Sequence, residues 1–268
     1  MRLLILGASG FIGSHLVRGA AMLGHEVIAL CRAGLVDGFT GRCITWELGR
    51  RTVLPAGEPV DCAVHLAHDF SGEAGARLTI DGTERCVREL REAGVRRQLY
   101  FSSYSAGPHA SSIYGRTKYS LEQSLTASGD VTIIRPGLVV GGGGLYGRIE
   151  KIARLLPLIP LPDGGEGLVP VIGIDRLCRE TIRLAGESTG TAAFNLFEPR
   201  LRTLREVVLE SARQNGRSPV ILPIPSKAAV GVLTLLEFLR IPLPVKTDNL
   251  KGFVANQQAG HTSGLSDE

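Results

Sequence analysis

The stretch Leu3-Leu4-Ile5-Leu6-Gly7-Ala8-Ser9-Gly10-Phe11-Ile12-Gly13 decides the architecture. Its first four residues are an unbroken apolar run, the pattern of a parallel strand covered on both faces. Glycines then recur as Gly-x-x-Gly-x-x-Gly, and from Phe11 to Leu23 apolar residues follow helical spacing, closed by Gly24 as a C-cap. In such a turn Gly7 permits the tight bend, Gly10 lets the backbone approach a diphosphate, and Gly13 lets the helix pack on the strand. Free N–H groups and the helix dipole favour an anion there. The candidate dinucleotide cradle is therefore Gly7, Ser9, Gly10, Phe11, Ile12 and Gly13.

Outward from this turn, strands and helices alternate. Strands are expected at Glu26 to Cys31, Cys43 to Thr45 (the weakest), Asp61 to Leu66, Gln98 to Phe101 and Val131 to Ile134. Helices are expected at Glu73 to Ala93 and Ser112 to Ser128, stopped by Gly94 and Gly129. Between Trp46 and Val60, Pro55, Gly57 and Pro59 leave room only for a short helix. The order predicts an α/β fold, a Rossmann doubly wound parallel sheet with right-handed crossovers.

After Pro136 the texture changes to a glycine run at Gly141 to Gly144 and recurrent prolines. A helix is expected at Gly173 to Ala185 and a late strand at Ala192 to Leu196. Thr203-Leu204-Arg205-Glu206 is a capping box opening a helix to Gln214, and an apolar helix is expected from Ser226 to Leu239. The reading is a dinucleotide-binding domain over 1–140, with elements near 171–198 returning to it. Residues 141–268 form mainly a smaller C-terminal substrate lobe, and the polar tail 256–268 is expected to be disordered.

Composition narrows the partners. A net charge of +4 is mild, its basic residues are dispersed, and aromatics are only 5%, which argues against a nucleic-acid surface. Five cysteines without CxxC spacing suggest neither a metal site nor a disulfide framework, and fit buried thiols in a reducing cytosol. A strand beginning at Arg2 leaves no room for a signal peptide, and no apolar run reaches membrane-spanning length. The expected setting is cytoplasmic, with a small-molecule partner, no nucleic acid and no membrane; a homodimer is left open.

The residue after the second strand decides the ribose. Ala29-Leu30-Cys31-Arg32 has no carboxylate for a 2′-hydroxyl and offers Arg32 for a 2′-phosphate, which points toward NADP, with NAD the alternative. Tyr114 and Lys118 stand four apart near the start of a helix, on one face. Phe101-Ser102-Ser103-Tyr104-Ser105 ends the fifth strand, where a parallel sheet meets its cofactor. A tyrosine of ordinary pKa ~10 must fall about three units, ~4 kcal/mol, to exchange protons near neutrality. A nearby ammonium and a positive nicotinamide both favour the phenolate.

These residues resemble the extended or atypical short-chain dehydrogenase/reductases, the NAD(P)-dependent epimerase/dehydratase group that includes nucleotide-sugar epimerases. The marks are the glycine turn, Asp61-Cys-Ala-Val-His-Leu-Ala67, Asp81-Gly-Thr83, the Phe-Ser-Ser strand end, Tyr114-x-x-x-Lys118 and Arg135-Pro136-Gly137. The resemblance implies Tyr114 as acid/base, Lys118 as ribose holder and pKa modulator, and Ser103 as substrate-orienting donor, with Ser102 and Ser105 as alternatives. It places Leu66, Ala67, Pro136 and Gly137 beside the cofactor, with His68 lining the crevice. Three departures stand out: Thr79 where the family usually has asparagine, a short Ser103 to Tyr114 segment, and a short chain.

Other residues read as structural. His65 lies in an apolar strand and is expected in the core rather than on a metal. Asp175 reads as a helix cap, and Arg148, Lys151 and Arg154 as a solvated helix face. The implied activity is an oxidoreductase or epimerase moving hydride between nicotinamide and a secondary alcohol or ketone carbon, a nucleotide sugar being one candidate. The rival is a catalytically silent cofactor-binding sensor or assembly factor, against which the serine, tyrosine and lysine argue.

Overall fold

The computed structural model describes residues 1–52, 54, 59–129, 131–187, 192–229, 231, 248 and 262–265. Arg2–Leu6 forms β1, whose Leu3 to Leu6 are buried on both faces, as an unbroken apolar run requires. Glu26–Cys31 (β2), Arg42–Thr45 (β3), Cys62–His65 (β4), Gln98–Phe101 (β5), Val131–Pro136 (β6) and Ala193–Leu196 join it. The order across this seven-stranded sheet is β3-β2-β1-β4-β5-β6 and then the Ala193–Leu196 strand, every neighbour parallel. The order reverses direction beside β1, so the cofactor crevice opens at the ends of β1 and β4.

Helices Phe11–Met22 (α1), Gly72–Glu92 (α2) and Ile113–Ser128 (α3) connect the strands, close to the expected bounds. Ile174–Gly186, the helix before the seventh strand, contributes Leu177, Ile182 and Leu184 to the same core as Leu16 and Val17 of α1. This helix and the Ala193–Leu196 strand therefore return to the first layer of the molecule; the helix is capped by Gly173 rather than by the expected Asp175, which stands in its first turn.

The rest of the C-terminal half builds its own small core. Leu138–Val140 (β7) and Val171–Gly173 pair in parallel, as do Leu158–Pro162 and Val220–Ile224. The helix Gly144–Leu155 (α4) packs Ile149, Ile152 and Ala153 against Val208 and Ala212 of the helix Leu204–Gln214. The latter opens on the expected capping box between Thr203 and Glu206. Arg148, Lys151 and Arg154 lie on the exposed face of α4. The strand pairs within 138–173 and 220–224 are invisible to a periodicity reading, because the first pair is only three residues long and proline interrupts both strands of the second.

One expectation is described only in part and another needs adjustment. The helix from Ser226 to Leu239 is described only at its start, Ser226 to Ala229 and Gly231, and the remainder lies outside the described residues. The tail expected to be disordered from 256 to 268 is seated over part of its length. The Gly264 N–H donates to the Asn195 carbonyl at 2.8 Å, the Asn195 amide donates to the Thr262 carbonyl at 2.9 Å, and Leu265 packs on the main core. The edge strand offers unpaired backbone groups that a polar tail satisfies. Residues 256–261 and 266–268 lie outside the described residues.

Among the described residues no helix is long and apolar enough to cross a membrane, and no group of three or more His, Cys, Asp or Glu is placed to hold a metal. All five cysteines are free, and burial pushes the Cys62, Cys86 and Cys178 thiols up to about 12.

His65 is a core histidine, 4% exposed, with Nε2 2.8 Å from the Gln98 Oε1. The Gln98 amide donates onward to the Val87 carbonyl at 3.0 Å, tying β4, β5 and α2 together. Burial holds His65 down to about 4, against an ordinary 6.5. The unfolded chain therefore takes up this proton first, and stability present above pH 6.5 is lost as pH falls toward 4. The expected loss from this residue is roughly 3 kcal/mol between pH 7 and pH 4. Urea unfolding of the wild type and of His65→Gln across that range measures it: the variant should show a shallower acid decline by about that amount.

Candidate active site

The glycine turn is built by contact of backbone on backbone. Gly7 has φ +85, and a Cβ there would stand 2.7 Å from the Ala67 nitrogen at the end of β4. A Cβ on Gly13 would lie 2.4 Å from the Gly7 carbonyl oxygen. Gly10 differs, since a Cβ there would meet only the Gly7 oxygen at 3.2 Å. Gly10 caps α1 with no side-chain hydrogen bond, so the first-turn N–H groups stay available. Ser9 and Gly10 are exposed at the mouth, and Leu66, Ala67 and His68 are half-buried across from them. This is a cradle that a dinucleotide diphosphate fits.

The Phe11 ring does something else. It lies edge-on to His15 and occupies the space that a Cβ on Gly143 would claim, 2.2 Å from that position. The Phe11 side chain packs the Gly141 to Gly144 run onto the turn, and Ile12 packs on the main core. Pro136 and Gly137 are also committed: the Pro136 carbonyl accepts from the Tyr104 N–H at 3.0 Å, and the Gly137 N–H donates to the Leu196 carbonyl at 3.1 Å. Their expected place beside the cofactor rests on shape rather than on free polar groups.

Ser112 caps α3 by accepting from the Gly115 N–H at 3.0 Å, so Tyr114 and Lys118 fall on the helix face turned to the sheet. The Tyr114 hydroxyl is hydrogen-bonded to Ser103, and the Ser103 Oγ lies 2.9 Å from the Ser105 Oγ. Ser102 is 2% exposed, on the far side of the strand end. Alternation along an extended backbone thus brings Ser103, not Ser102, to the tyrosine, with Ser105 beside it.

Lys118 is 3% exposed, and its ammonium donates to the Phe101 carbonyl at 2.6 Å and sits 5.7 Å from the Tyr114 ring centre. Burial lowers it to about 7, partly opposed by Glu122. Burial also pushes the Tyr114 phenol up to about 12, opposed by its bond to Ser103. The direction is opposite to the fall expected from the sequence, because burial penalises the phenolate and the Lys118 ammonium bonds the Phe101 carbonyl rather than the phenol.

Two contributors, Glu122 and Asp248, were missed by the sequence reading, and a third, Thr79, was noted only as a departure from the family. Glu122, 2% exposed on the same face of α3, takes a bidentate ion pair from Arg135 of β6 at 2.8 and 2.6 Å. The Asp248 carboxylate accepts from the N–H groups of Ile113 and Tyr114 at 2.7 and 3.3 Å, so the C-terminal half holds the start of α3. Thr79 accepts from the Asp69 N–H at 3.0 Å and donates to the Gly75 carbonyl at 2.7 Å, fixing the loop after β4. Glu122 had a signal, its four-residue spacing from Lys118; Asp248, 135 residues from its partner, had none.

His68 lies in that loop, its ring 4.9 Å from Tyr114 in an edge-on contact, and its buried Nδ1 has no partner among the described residues. Burial and then the Lys118 charge hold it down to about 3, so it is neutral. Arg32 is exposed just past the end of β2.

Gly10→Val tests the cradle. The branched side chain would fill the opening over the α1 N-terminus, so a correctly folded variant should lose dinucleotide binding by at least a hundredfold in a fluorescence titration. Wild-type affinity in the folded variant would refute the assignment.

A model of the NAD dependent epimerase/dehydratase family matches residues 3–158. The chain is 28% identical over 254 residues to a 3-diazoavenalumate denitrifying reductase of Streptomyces, covering 82% of this chain and 83% of that protein. It is 30% identical over 171 residues to sterol demethylase protein B of Methylococcus capsulatus, covering 53% of this chain and spanning only about half, 52%, of that relative. In fold it is similar to MoeE5 in complex with UDP-glucuronic acid and NAD, with TM-score 0.71, 24% identity and coverage of 84% and 86%. With a matched span from β1 through α4, the chain belongs to the NAD dependent epimerase/dehydratase family and is an NAD(P)-dependent enzyme of oxidoreductase or epimerase type.

Proposed function

We propose that the protein reduces the carbonyl of a small molecule with a nicotinamide cofactor, Tyr114 supplying the proton. The observation that carries this reading is the convergence of Ser103 and Ser105, 2.9 Å apart at the end of β5, with Tyr114 and Lys118 on the facing side of α3, the Lys118 ammonium 5.7 Å from the Tyr114 ring centre. When bound, the nicotinamide supplies or accepts the hydride. Ser103 holds the carbonyl oxygen, Tyr114 delivers its proton to that oxygen, and the Lys118 ammonium stabilises the phenolate left behind. Lys118 also presents its remaining N–H groups to the ribose hydroxyls. Glu122 and Arg135 keep α3 pressed to the sheet, so the two side chains stay aligned. A nucleotide sugar is the alternative substrate, after the ligand of MoeE5. A cytoplasmic setting and a homodimer accord with this reading.

Tyr114→Phe keeps the ring packing and removes the proton. Turnover should fall by roughly 10²–10⁴ with little change in cofactor affinity, whereas Lys118→Ala should damage both. In the same assay wild-type kcat/KM should decline as pH rises through about 7, where Lys118 loses its charge. A Tyr114→Phe variant at wild-type rate would refute the assignment.

NADP is the proposed preference, on Arg32 and the missing carboxylate at the end of β2. Thermal protection should be greater with NADP than with NAD at equal concentration, and Arg32→Ala should narrow the difference. Greater protection by NAD would reverse the assignment.

A further inference from the structure

We propose that Phe70 determines substrate specificity, and that the carbonyl substrate carries a flat apolar ring that stacks on it. The inference rests on the reading of Tyr114 as proton donor and adds the chemical class of the substrate. Phe70 follows His68 and Asp69 on the loop after β4 and is 70% exposed. An isolated exposed phenylalanine needs no explanation, but this one is neither isolated nor loosely held. Its ring stacks on Tyr114 with centres 5.9 Å apart and planes at 16°, and lies 4.5 Å from the His68 ring.

The backbone on either side of it is pinned. The Asp69 N–H donates to Thr79, the Asp69 carboxylate accepts the Ser71 N–H at 2.8 Å, and the Ser71 hydroxyl bonds the same carboxylate. The result is a wall of three mutually contacting rings, of which Phe70 faces solvent and Tyr114 is the proposed proton donor. An apolar ring sliding down this wall removes exposed aromatic surface from water and gains offset stacking.

The test compares acetophenone with 2-butanone in the presence of NADPH. The ratio of their kcat/KM values should favour acetophenone, should fall about tenfold in Phe70→Ala, and should return in Phe70→Tyr, which restores the ring. Calorimetric binding of acetophenone to the NADP complex reads the same contact without turnover, and should weaken about tenfold in Phe70→Ala. An unchanged ratio in Phe70→Ala, no detectable acetophenone binding, or turnover of UDP-glucose in preference to acetophenone would each overturn the proposal. Tyr114→Phe separates the two readings. A drop in its rate beside an unmoved Phe70→Ala ratio overturns only the specificity claim, and the opposite pair of results overturns only the proton donor.

Discussion

Backbone touches backbone where β1 turns into α1, and the rest of the site depends on that contact. A single methyl group on Gly7 or Gly13 would stand under 3 Å from main-chain atoms that cannot move without displacing β4 or the turn itself. The close approach sets the height of α1 over the sheet and leaves its first turn open to an anion. It also brings the end of β4 against the turn, so Leu66, Ala67 and His68 face the same crevice. Cofactor site and fold are here one constraint, because neither the helix position nor the cradle survives without the other.

The chemistry rests on a competition between burial and charge. Lys118 and Tyr114 are both pushed toward their neutral forms, in opposite directions along the pH scale, because the space between β5 and α3 is closed to water. Glu122 restores part of the lysine charge and in turn holds Arg135 in a bidentate pair. Replacing Glu122 by an apolar residue would leave the guanidinium of a half-buried arginine unmatched, a loss of the kind that costs a few kcal/mol. The neutral phenol is the form required for the proposed proton donation to a carbonyl.

The C-terminal half reaches the active site through contacts rather than through continuous secondary structure. Phe11 fills the space left by the Gly141 to Gly144 run, Asp248 holds the first N–H groups of α3, and the segment 262–265 lies along the edge strand. These three attachments fasten the C-terminal half directly to the turn, to α3 and to the sheet.

Much of this was legible in one dimension. The apolar run before the glycine turn, the alternation of strands and helices, and the four-residue spacing of Tyr114 and Lys118 are local patterns. Local patterns follow from backbone periodicity and sterics, so the sequence by itself determined the parallel sheet, the glycine turn that opens α1 and the shared face of Tyr114 and Lys118 on α3. It also marked His65 as a core residue, since an imidazole inside an apolar strand is buried with it. Only the tertiary structure decided which serine meets the tyrosine, because that depends on how a strand end twists out of the sheet. The partner of Thr79, the ion pair behind Lys118, the Asp248 cap and the stacking of Phe70 on Tyr114 were likewise decided in three dimensions. Each joins residues from different elements, and the free energy of such a contact depends on burial and geometry that no spacing along the chain encodes.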